Sequence, residues 1–246
     1  MTTQRQFIFF IIILVFQLQT FGQKLDSDKS FVYPKIKSSG QTVSDFIPEG
    51  WTILDSVVGD LNNDKAKDLV VILQHKDSVT LEKKEIDYIY PVITQPRVLI
   101  ILFGNNLSSN YNLIEQSNSF ILNHDDSKIE DPYQAVKIEN GILQINFLWF
   151  ANAGSWMILN TSYKFRYQNK TFVLIGADNN YFDRSNHDFQ NYSYNFLTKK
   201  WTLTTGNDNT EEKPKTELFS LELKKLQTFK TYERPYTWEV TKGVYL

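Results

Sequence analysis

Apolar and polar residues alternate along most of this chain with a period of two, the spacing of side chains on the two faces of a strand. Residues 51–59 (WTILDSVVG) and 69–74 (LVVILQ) predict two strands, and residues 97–103 (RVLIILF) predict a third. That third run is continuously apolar and of strand length, which suits a strand buried on both faces. After a turn cluster at 104–110, residues 111–116 predict a return strand. Residues 42–50 read as a single capped helical turn stopped by Pro48 and Gly50. The charged stretch from His75 to Asp87 shows no clean period and is expected to be a mobile connection.

The second half predicts an antiparallel meander. Residues 136–139 lead into Asn140-Gly141, a strong hairpin signal, and on into a strand over 142–150. Residues 163–167 alternate aromatic with basic, then turn at 168–170 into a strand over 171–176. Residues 192–196 and 201–203 form a further pair, residues 206–216 are polar enough for an exposed loop, and strands are expected at 217–223 and near Trp238 and Val240. The expected fold is therefore mainly β, with antiparallel sheets and no large helix.

Between the first two strands lies the most specific chemical signal. Oxygen-bearing side chains fall at alternate positions in Asp60, Asn62 and Asp64 and again at Asp68, and the carbonyl of Ala66 completes the spacing. Ca²⁺ takes six to eight oxygens from a tightly wound loop in this manner. An Asx-rich turn that binds nothing is the competing reading, because Asp and Asn favour turns by themselves. The loop is not an EF-hand, since position 12 is Val71 rather than a bidentate Glu.

The run GDLNNDKAKDLVVIL over 59–73 resembles the D-x-[DN]-x-D-x-x-x-D loop and following strand of FG-GAP/VCBS repeats. The resemblance implies one propeller-blade-like unit over about 51–120 with a structural Ca²⁺ held by Asp60, Asn62, Asp64, Ala66 and Asp68. Lys65 stands where those repeats usually carry Gly, a residue that eases a left-handed turn. No second loop of this kind follows at repeat spacing, which argues against a complete propeller. The part over 134–246 reads as a meander packed with the blade-like half, and residues 169–199 resemble exported bacterial proteins of unknown function.

Composition narrows the setting. Residues 1–22 carry one Arg, a ten-residue apolar run at 7–16 and small residues at 20 and 22, which reads as a secretory signal peptide. Ten apolar residues are too few to span a bilayer, so residues 23–246 are expected as one exported β-rich domain, periplasmic or extracellular, with no stable membrane span. The chain has no cysteine and a formal net charge of −2, so it offers neither disulfides nor a broad basic field for nucleic acid.

Catalysis finds little support. The three histidines, His75, His124 and His187, share no ligand spacing, and no nucleophile elbow or phosphate-binding Gly loop occurs. The acidic loop at 123–133 matches no ligand pattern. A binding role has modest support from the aromatic content, 15% of residues. Most of those rings suit cross-strand packing, while Trp156 and Tyr181, beside turns, are the candidates for surface contact with a carbohydrate or protein ligand. The expected function is a calcium-stabilised, non-catalytic binding domain of the cell envelope. The alternatives are a secreted hydrolase working through loop carboxylates and a purely structural envelope protein.

Overall fold

The apolar run that stands out in the sequence forms the centre of the first sheet. In the computed structural model, which describes residues 31–84, 88–106 and 110–246, it is strand β6 (Arg97–Gly104). It lies between β3 (Asp68–His75) and β7 (Tyr111–Ser117), with β2 (Trp51–Gly59) at one edge and the two-residue β1 (Ser39–Gly40) at the other. All pairings in this five-stranded sheet are antiparallel. The expected signal segment at 1–22 and residues 107–109 of the turn cluster lie outside the described residues.

Alternation inside the apolar run sends its side chains into two separate cores. Val70, Ile72, Leu99 and Ile101 face the second sheet, whereas Val71, Leu73, Val98, Ile100 and Leu102 face the other way. The second set is covered by Ile36, Phe46 and Trp51, which cap the outer face of the sheet. The capped turn is a 3₁₀ turn over Val43–Phe46, and the Thr42 N–H donates to Asp45 Oδ2 at 2.9 Å. Burying a Val, Leu or Ile side chain is worth roughly 1.5–3 kcal/mol. Coverage on both faces therefore makes β3 and β6 the anchor of this half.

The second sheet is a seven-stranded meander with each strand beside its sequence neighbour. It runs β8 (Tyr133–Glu139), β9 (Ile142–Phe150), β10 (Met157–Gln168), β11 (Thr171–Asp183), β12 (Asp188–Asn195), β13 (Lys200–Asn207) and β14 (Lys215–Ser220). Two of its hairpins close through two residues with positive φ, Asn140 (51°) and Gly141 (73°), then Asn169 (52°) and Lys170 (62°). Turns of that hand match the twist of paired strands. Short strands β15 (Glu239–Thr241) and β16 (Val244–Tyr245) form a small C-terminal ribbon.

The sheets are joined by an aromatic hub and two polar ties. Phe120 is fully buried, with edge-on contacts to Tyr163, Phe165, Phe229 and Tyr232 at centroid separations of 5.0–5.8 Å. Tyr133 donates its hydroxyl to Asp55 Oδ2 at 2.7 Å. Arg97, only 4% exposed at its side chain, grips Asp131 through Nη1 and Nη2 and donates also to the Leu122 carbonyl.

Two expectations need correction. The charged connection after His75 is in part a hairpin, β4 (Val79–Lys84) paired with β5 (Ile89–Thr94). Val79 and Leu81 alternate there with exposed Thr80 and Glu82, too short an alternation to stand out among so many charges. The strand expected to end at Gly176 continues to Asp183. Its polar continuation is tolerated because Asn179, fully buried, accepts the Thr161 hydroxyl at 2.6 Å and donates to the Tyr181 hydroxyl at 3.2 Å.

Candidate functional site

The 60–68 loop connects β2 to β3, and its own side chains fold it. Asp60 Oδ2 accepts the Lys65 N–H at 2.9 Å, Asn62 Oδ1 accepts the Asp64 N–H at 3.0 Å, and Asp64 Oδ1 accepts the Ala66 N–H at 2.7 Å. These bonds wind the chain tightly enough to need two left-handed residues, Asn63 (φ 62°) and Lys65 (φ 67°). Asn tolerates that conformation; Lys does so only under strain. Lys65 thus takes the backbone geometry for which a Gly would be suited.

Asp68 closes the loop from below. It is fully buried, and its Oδ2 accepts the Leu61 N–H at 2.7 Å while Oδ1 accepts the Gly104 N–H at 3.1 Å. Burial pushes its carboxyl up to about 6; the two N–H bonds oppose this, and the charges of Asp64 and Asp60 add to it. The loop is also clamped to the turn after β6. A Cβ at Gly104 would collide with the Lys67 carbonyl oxygen, and Asn106 Nδ2 reaches the Asp64 carbonyl at 3.5 Å. Asn62, Asp64, Asn106 and Asn112 line a recess of ≈ 380 Å³ between loop and turn, with Phe103 and Ile114 on its apolar side.

One atom in this arrangement lacks a partner. Asp60 Oδ1 is buried and accepts no hydrogen bond. A carboxylate oxygen removed from water without a donor is costly, and a bound cation would satisfy it. Among the described residues no three acidic, histidine or cysteine side chains converge closely enough to hold a metal by themselves. A Ca²⁺ here would draw also on the Asn62 amide and the Ala66 carbonyl, both hard oxygen donors of the kind it accepts. The donor set fits the ion in chemistry and in charge.

The two surface aromatics singled out in the sequence lie elsewhere. Trp156 is 65% exposed in the turn before β10. The Arg184 guanidinium sits over the rings of Phe150 at 4.4 Å and Trp156 at 5.7 Å and donates to the Ser155 carbonyl at 2.8 Å, which fixes that turn. Tyr181 is half-buried in β11, edge-on to Tyr192 at 5.9 Å. Neither of them lines the wider of two concavities that the described residues form.

That concavity is a cleft of ≈ 780 Å³ lined by Tyr33, the β4–β5 hairpin, residues 118–132, the end of β9, and residues 234–237 with Tyr245. Lys83 bridges Asp125 at 2.9 Å, the Thr94 hydroxyl donates to the His124 carbonyl at 2.9 Å, and the Ser119 hydroxyl donates to the Glu233 carbonyl at 2.8 Å. Its walls are therefore tied together. Trp149 belongs to the same parity as Leu143, Ile145 and Phe147, which are buried, yet it is 45% exposed and lines the cleft. The acidic loop at 123–133 contributes one wall, and its Asp131 is held by Arg97. Burial raises the Asp131 carboxyl, but the Arg97 bonds and charge and the Tyr133 N–H outweigh it and leave it below the ordinary value.

No family model, curated protein or solved structure matches this chain.

Proposed function

We propose that this chain is an exported, calcium-stabilised, non-catalytic binding domain of the cell envelope. The observation that carries the calcium reading is Asp60 Oδ1, a buried carboxylate oxygen with no donor in a loop whose other oxygens are spaced for a hard cation. The signal-like residues 1–22 support export, and with no cysteine in the chain a metal rather than a disulfide would secure the fold. In this reading Asp60, Asn62, Asp64, Ala66 and Asp68 hold the ion. All of them come from one short segment at the entrance to β3, so the ion's role is to neutralise the loop and lock the strand that follows.

The test is thermal melting of the protein with chelator and with millimolar Ca²⁺. A ligand binding only the native state at a hundredfold excess over Kd stabilises by about 2.7 kcal/mol. For a domain of this size that is a rise of roughly 5–10 °C. Asp60→Ala and Asp64→Ala should lose the rise, and an unchanged Tm in the wild type would reduce the loop to a turn.

A further inference from the structure

Of the three side-chain atoms buried without a hydrogen-bond partner among the described residues, one is Asp60 Oδ1 in the loop. The other two, Asn123 Oδ1 and the Tyr236 hydroxyl, belong to residues lining the ≈ 780 Å³ cleft. Orphaned polar atoms are rare enough in folded proteins that each calls for a partner outside the chain. The Tyr236 hydroxyl lies beside Thr161, whose Oγ1 donates to Asn179 Oδ1 at 2.6 Å and keeps lone pairs free to accept the phenol proton, so Asn123 Oδ1 is the orphan that points to a ligand. The Tyr236 backbone adds a separate sign. It sits at φ 64°, a conformation that a bulky residue adopts only when its surroundings impose it, and such strain gathers at ligand clamps.

The remaining chemistry of the cleft narrows the ligand. Trp149 and Tyr245, 45% and 47% exposed, offer aromatic surface to the opening. Carboxylates from Glu82, Asp125, Asp126 and Glu130 outnumber the cations Lys83 and Arg234, and Lys83 is already tied to Asp125. That balance repels phosphates and carboxylates. A quaternary ammonium would suit the aromatics and acids, but it carries no donor for Asn123 Oδ1. A sugar meets every requirement at once: apolar ring faces for the aromatics, and hydroxyls that donate to carboxylates and to the amide oxygen. The volume lies within the range of small-ligand sites, and the tied walls mean that little ordering is left to binding.

We propose that this cleft is a binding site for a neutral, hydroxyl-rich ligand, a short oligosaccharide, with Trp149 as stacking platform and Asn123 as polar anchor. The proposal rests on the reading of the chain as a binding domain and gives that reading a place and a ligand class.

The experiment is titration calorimetry, with tryptophan fluorescence in parallel, of the protein against neutral hexasaccharides of glucose, mannose, galactose and N-acetylglucosamine. Choline serves as the ammonium probe. At least one hexasaccharide should bind saturably at one site per chain. Trp149→Ala and Asn123→Leu should each weaken it by about tenfold or more, the effect of losing one anchor. Trp156→Ala, outside the cleft, should leave it unchanged. Each variant's melting temperature, with and without Ca²⁺, keeps a folding defect distinct from a lost contact. Binding of none of the sugars, binding indifferent to both cleft variants, or saturation by choline alone would overturn the proposal. Failure of the sugars with an intact Ca²⁺-dependent Tm would remove the cleft inference and leave the loop reading standing. Sugar binding without any Ca²⁺ effect would do the reverse.

Discussion

Replacing Lys65 by Gly should stabilise the protein, although Gly in a folded chain is ordinarily a loss. Lys65 sits at φ 67° and donates its N–H to Asp60 Oδ2 at 2.9 Å, so the loop imposes the left-handed turn. Holding an L-residue there costs roughly 1–2 kcal/mol. Gly escapes that cost but loses about 0.5–1 kcal/mol through its freer unfolded chain. The difference leaves a net gain of about 0.5–1 kcal/mol, or roughly 1–4 °C in Tm for a domain of this length. Lys65→Ala is the control, because it removes the charge near Asp60 and Asp64 while keeping the Cβ that causes the strain. Urea unfolding of wild type and both variants reads the comparison directly, with a higher midpoint for Gly at unchanged slope. If Ala stabilised as much as Gly, the gain would come from the lost charge. If Gly destabilised, the backbone account of the loop would be wrong.

Other positions carry equally definite expectations. Gly104→Ala forces a Cβ against the Lys67 carbonyl and should cost about 1–3 kcal/mol, read as a lower denaturant midpoint. Phe120→Ala empties the hub between the sheets and should cost about 3–5 kcal/mol, whereas Phe120→Leu should cost markedly less. Arg97→Met should destabilise by about 1–2 kcal/mol near neutral pH, since it takes the cation from Asp131, which water still reaches, and leaves the Leu122 carbonyl without its donor. The same variant should flatten the acid limb of the stability curve. With its folded pKa depressed, Asp131 contributes stability that is present above its unfolded value near 4 and is lost as pH falls through the lower folded value.

Local patterns announced most of the strands, and the failures have physical causes. Asn140-Gly141 marked its hairpin because only residues tolerant of positive φ close a two-residue turn. The apolar run at 97–103 marked a doubly covered strand because nothing else of that length stays dry. The β4–β5 hairpin was masked by its own exposed charges, and the far half of β11 by Asn179, whose burial depends on Thr161, a partner 18 positions away. The loop was legible from its spacing, and Lys65 even marked where the backbone would be strained. The cleft was not legible. Trp149 has the parity of a core residue, and only the cleft beside the end of β9 leaves it exposed. Tyr236 and Asn123 acquire meaning from segments that meet in space across more than a hundred residues of sequence.

The central claim is that a cation completes the 60–68 loop, and a crystal structure grown in millimolar Ca²⁺ tests it most directly. The account predicts a calcium peak within about 2.3–2.6 Å of Asp60 Oδ1, with Asp64 and the Ala66 carbonyl in the same coordination shell. A water at Asp60 Oδ1, at hydrogen-bonding distance and with no cation beside it, would contradict it.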